Sequence, residues 1–118
     1  MEATWELREY DREFFDKELD PFVPDEIFDS HAHLYELTHW TSRSLIEKGP
    51  SVLTLEEFKR QMEWITPGRK TTGLFFGAGL SEARYEVSNR FVAAEVARDL
   101  HSRGQLIVSP RQDADQVR

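Results

Sequence analysis

Three short apolar runs recur along the chain, at Ile27 and Phe28, at Leu74, Phe75 and Phe76, and at Leu106, Ile107 and Val108, with helical patterns between them. The second is continuous, without the polar alternation of a strand that has one wet face, and suits a strand covered on both sides. The order read along the chain is helix, strand, long connection with a helix, strand, helix, strand. That alternation predicts an α/β fold. The 118 residues suffice for one modest core and not for two.

The boundaries follow from local chemistry. Over residues 4–19, Leu7, Tyr10 and Phe14, with Phe15 and Leu19 beside them, fall at helical spacing, so the segment is expected to pack as an amphipathic brace until Pro21 and Pro24 end it. Residues 38–50 read as a long loop. Thr54 and Glu57 have the spacing of a reciprocal capping box, with Leu53 and Phe58 as its hydrophobic staple. Leu55, Phe58, Met62 and Ile65 line that helix, and Pro67-Gly68 breaks it. A last helix is predicted over 84–103, with Val92, Ala93, Val96, Ala97 and Leu100 as its stripe, Arg103 at the negative end of its dipole and Gly104 as its cap. Residues 105–109 then form the third strand, and a polar tail follows Pro110.

Charge and composition narrow the partners. The net charge is −7 and the basic residues are scattered among acidic ones, which argues against nucleic acid and against an anionic membrane surface. There is no cysteine, so a metal site must rest on nitrogen and oxygen. The amino terminus lacks a basic start with an apolar core, and no apolar run approaches the ~18–20 residues of a spanning helix. A soluble, cytoplasmic protein is expected.

The chemistry concentrates in Asp29-Ser30-His31-Ala32-His33. Side chains two apart on a strand share a face, so Asp29, His31 and His33 are expected to converge, and neutral imidazole is the commonest protein ligand of divalent metals. Asp29 is read as a third contact or a support behind the ligands, or, more plainly, as a turn acid. His39 and Trp40, on the loop after the strand, are candidate substrate contacts. His101 is read as a surface residue near a helix end. Gly77-Ala78-Gly79 resembles the opening of a dinucleotide-binding turn, but Glu82 stands where the third glycine belongs and would repel phosphate.

The Asp-Ser-His-Ala-His motif, preceded by Pro24-Asp25-Glu26-Ile27-Phe28, resembles the opening metal motif of the amidohydrolase superfamily, in the branch of aminocarboxymuconate-semialdehyde decarboxylase-like enzymes. The resemblance continues through Asn89 to Leu100, the Gly104 turn and the strand ending at Pro110. It implies that residues 25–118 are the first three β/α units of a TIM-like (β/α)8 barrel behind a helical extension over 1–24. It further implies that His31 and His33 ligate a divalent cation, most often zinc, at the carboxyl ends of the strands, where such barrels keep their active sites. The activity implied is hydrolysis of an amide or lactone bond, or decarboxylation, of a small-molecule substrate.

A full barrel needs roughly 250 residues. The chain is therefore expected to be the amino-terminal part of such an enzyme, binding metal weakly and turning over little by itself, with an oligomer or a missing carboxyl-terminal segment completing it. The rival expectation is a truncated or association module without activity, because an unfinished parallel sheet exposes strand edges and apolar surface.

Overall fold

A computed structural model describes residues 8–40, 49–78 and 84–118. The fold class is α/β, as the alternation predicts. Strand β1 (Glu26–His33) is followed by a short ribbon of β2 (Tyr35–Glu36) and β3 (Val52–Leu53), helix α2 (Leu55–Ile65), strand β4 (Lys70–Phe76), helix α3 (Tyr85–Val96) and strand β5 (Arg103–Gly104). Helix α1 (Glu9–Phe14) precedes them and runs into a π-helical turn, Phe15–Leu19. A last helix, α4 (Ala114–Val117), closes the chain. The sheet order is β1-β4-β5, parallel throughout, and β2 and β3 pair antiparallel.

The core lies between this sheet and helices α2 and α3. Phe75 and Leu34 are wholly buried, and the Phe75 ring meets Phe58 of α2 edge-on at 4.9 Å. Side chains of this size each contribute about 1.5–3 kcal/mol when fully buried. Polar groups lock the two helices together. Glu95 of α3, itself buried, accepts a hydrogen bond at 3.0 Å from the Leu55 backbone N–H, one of the orphan donors of the first turn of α2. Lys59 of α2 reaches Asp99 at 2.8 Å. At the start of α2, Thr54 caps as expected, its hydroxyl accepting from Glu57 N–H at 3.1 Å. Only half of the predicted box forms, because the Glu57 carboxylate turns to Arg60 and Gln61 instead. Gly68, at φ 74, supplies the left-handed residue that turns the chain after α2.

Several expectations are corrected. The last long helix stops at Val96 and not near Arg103, because the Asp99 carboxylate takes the His101 N–H at 3.0 Å and the Ser102 hydroxyl at 2.6 Å and rolls the chain into a turn. Ser102 Oγ in turn accepts from Gly73 N–H of β4 at 3.2 Å, which draws Arg103 and Gly104 alongside β4; Gly104 is a strand residue facing Phe75, not a helix cap. Leu100, expected in the apolar stripe, is exposed. The third strand consequently pairs at 103–104, two residues before its predicted start, and the chain continues extended with Gln105 N–H donating to Phe75 O.

The amino-terminal stripe is corrected as well. Tyr10, Phe14 and Leu19 are exposed, with Tyr10 and Phe14 stacked on one another at 6.3 Å and not inserted into the core. What ties this segment down is Arg69, whose guanidinium pairs with Asp20, donates to the Asp20 carbonyl at 2.9 Å and lies over the Phe15 ring. The expected helical residues 4–7, Leu7 among them, lie outside the described residues. No helix among the described residues is long and apolar enough to cross a membrane.

Candidate metal centre

His31 and His33 stand at the carboxyl end of β1, next to the carboxyl end of β4. The sequence dictates this closeness: the two histidines are two residues apart, so the last turn of pleat in β1 carries both imidazoles. Their ring centroids are 5.1 Å apart with planes at 73°. Two imidazoles that share one tetrahedral ion through nitrogens about 2.0–2.1 Å from it have centroids about 5 Å apart, so the spacing fits a shared cation. His31 is exposed and His33 half-buried, which leaves the pair reachable from solvent.

Phe76, the last residue of β4, touches both rings edge-on, at 4.9 Å from His31 and 4.6 Å from His33. His33 Nδ1 lies 3.3 Å from the Gly77 carbonyl. A carbonyl oxygen only accepts, so Nδ1 donates to it, and in the neutral ring the lone pair then lies on Nε2, the atom left to a metal.

Asp29 does not join the pair as simple alternation predicts. Its carboxylate accepts the His31 backbone N–H at 2.9 Å, the local turn geometry of an acid two residues ahead. The register also shifts between Asp29 and Ala32, where β1 carries one extra residue against β4. Before this bulge Asp29 lies opposite Gly73, on the helix-covered face with Phe75; after it His33 lies opposite Phe76, on the other face. A bulge reverses the inside-outside parity of the residues that follow. Two residues converge where three were expected. Among the described residues no group of three or more histidine and acidic side chains forms a metal-holding set.

His39 and Trp40 are placed in the core and not on a loop surface, which corrects their reading as substrate contacts. Both are buried, at 1% and 3% exposure. The Leu37–His39 turn folds them inward: His39 Nδ1 accepts from Glu36 N–H at 3.3 Å, its ring rests 5.3 Å from Phe91 of α3, and Trp40 Nε1 donates to Ala78 O at 3.3 Å. Burial pushes the His39 imidazole below its ordinary value, against the pull of Glu36 in the other direction. Trp40 thus holds Ala78 in the segment where Gly77 meets His33. The sequence marks Phe76 as part of an apolar strand and Gly77 as the opening of a dinucleotide-binding turn, and not as neighbours of the histidines; the signal for that was their position at the end of a strand in a parallel sheet, where such folds gather function.

His101 sits exposed in the turn after α3. It lines a cleft of about 340 Å³ with Glu26, Phe28, Lys70 and Thr72, at the amino ends of β1 and β4 and away from the two histidines. Gly79 and Glu82 of the dinucleotide comparison lie outside the described residues. No family model, no curated protein and no solved structure matches this chain.

Proposed function

We propose that this chain is the amino-terminal part of a metal-dependent enzyme of the amidohydrolase type, with His31 and His33 as two of its cation ligands. The observation that carries the reading is the pair itself: two imidazoles 5.1 Å apart, one with its lone pair freed by a backbone carbonyl, at the carboxyl end of a parallel strand. The sheet order β1-β4-β5 with α2 and α3 between the strands is compatible with the first three units of a (β/α)8 barrel. A divalent cation, zinc in the first instance, would supply Lewis-acid polarisation of a substrate oxygen and a water acidic enough to act near neutral pH. The chain's own contribution is to bring two imidazoles together and to orient the His33 ring through Gly77 O. A catalytic site normally uses three protein ligands and an open position. With two, the chain alone binds weakly and turns over little or no small-molecule substrate.

Cobalt(II) tests this directly, because its visible spectrum reports nitrogen ligation. Titration of the chain is expected to give ligand-field bands that disappear in both His31→Ala and His33→Ala. Bands that persist in either variant would refute the shared site.

A second reading, an association module without activity of its own, is favoured by apolar side chains left in water: Phe28, Leu106 and Val108 are each more than half exposed. Sedimentation across a concentration series separates the two. A self-associating chain that ignores cobalt supports the module.

A further inference from the structure

The two inward-facing histidines are held by opposite kinds of backbone group. His33 Nδ1 faces a carbonyl oxygen, Gly77 O, at 3.3 Å, whereas His39 Nδ1 faces a backbone donor, Glu36 N–H, also at 3.3 Å. An acceptor at Nδ1 demands a proton there and a donor forbids one. The main chain therefore sorts them: His33 as the Nδ1–H tautomer with Nε2 free to bind, His39 as the Nε2–H tautomer with Nδ1 occupied. Free histidine in water prefers the Nε2–H form, so the state of His33 has to be imposed.

The imposing element is the end of β4. Phe76 stands edge-on to both imidazoles, at 4.9 and 4.6 Å, while the two rings are 5.1 Å from each other, so the three form a closed triangle of edge contacts. The positive edges and negative faces of these rings favour such T-shaped meetings. With one corner removed, His31, which is exposed and has only its backbone N–H tied to Asp29, has no ring left to stand against except His33. We infer that Phe76 and the Gly77 carbonyl are positioning groups that set the tautomer of His33 and the mutual orientation of the imidazole pair. This deepens the metal-site reading and rests on it for its purpose, though not for its test.

The test is nitrogen-15 NMR of the histidine-labelled full chain at a pH above the imidazole range, with resonances assigned from the four single histidine variants. His33 is expected to show a protonated Nδ1 and a pyridine-type Nε2, and His39 the reverse, with exposed His101 as the averaged control. An Nε2–H signal for His33, or averaging like that of His101, overturns the proposal. The same spectra then follow Zn²⁺ addition to Phe76→Leu and Phe76→Tyr. The leucine variant is expected to lose the fixed His33 tautomer and to bind Zn²⁺ about 10- to 100-fold more weakly, as losing a group behind a ligand does. The tyrosine variant keeps the ring and is expected to restore both. An unchanged His39 signal shows that each variant is folded. Leucine and wild-type proteins with the same tautomer and the same zinc affinity would overturn the role of Phe76. If the leucine variant does not fold, Phe76→Met takes its place with the same expectations. If the wild type shows the predicted tautomers and takes up no zinc, the positioning stands and the metal reading fails.

Discussion

Substituting Gly77 by alanine probes the joint between β4, α3 and the histidine pair in one step. A methyl at this position would sit 2.0 Å from Ser88 Oγ and 3.3 Å from Ser88 Cβ, against ordinary contacts of about 3.5–4.0 Å. The deficit of about 1.5 Å at the hydroxyl has to be met by turning Ser88 Oγ to another rotamer in a buried setting or by moving α3, in which the Ser88 N–H is bonded to Arg84 O. No left-handed backbone is involved, since Gly68 is the described glycine with positive φ, so the penalty is steric. Overpacking of this kind costs about 1–3 kcal/mol. Ser88 Oγ is buried and makes no hydrogen bond, so Ser88→Ala is near neutral or stabilising. In that background the nearest obstacle is the Cβ at 3.3 Å, and the Gly77→Ala cost should fall below about 1 kcal/mol. Urea unfolding followed by circular dichroism gives the four stabilities of this double-mutant cycle, read as midpoint shifts at constant slope. An equal cost of Gly77→Ala in both backgrounds would refute the reasoning.

Other expectations follow from the caps and the titrating groups. Thr54→Ala removes the acceptor of Glu57 N–H and should cost about 1 kcal/mol, measured by the same unfolding assay, with Thr54→Ser retaining most of it. The hydrogen bond from Arg60, helped by Gln61 and opposed by burial, holds the Glu57 carboxyl at about 2. Its unfolded value is higher, near ~4.3, so its stabilisation is full above that value and is lost as pH falls from there toward the folded pKa; Glu57→Gln should flatten the acid limb of a melting-temperature profile over this window. Burial lowers His39 below its unfolded value of ~6.5, so the unfolded chain takes up the proton first and stability declines as pH drops through about 6.5 and below. His39→Gln should remove that part of the decline, and an unchanged profile would contradict the burial account.

How far the sequence speaks depends on the range of the interaction. Thr54 announces α2 because capping is settled within one helical turn. The continuous run Leu74 to Phe76 announces β4, although only the face of Gly73 and Phe75 is buried and Leu74 and Phe76 are partly exposed, where cover on both sides was expected. The end of α3 was less legible. Asp99, His101 and Ser102 make a local turn, but Ser102 also needs Gly73, 29 residues earlier, and that partner outweighed the helical pattern through Leu100. The bulge in β1 is equally hidden, since register against β4 decides it and no residue of Asp29-Ser30-His31 requires it alone. For this reason the two histidines were readable as neighbours whereas the place of Asp29 was not. The exposure of Tyr10 and Phe14 shows the same limit: periodicity reports that a helix has an apolar face, not that the rest of the chain covers it.

The central claim, that His31 and His33 together hold a divalent cation, is tested most directly by calorimetric titration of the wild-type chain and its two single alanine variants with Zn²⁺. The account predicts one ion per wild-type chain, bound weakly because only two ligands converge, and no such binding in either variant. Identical isotherms for all three proteins, or one zinc held tightly by the wild type, would contradict it.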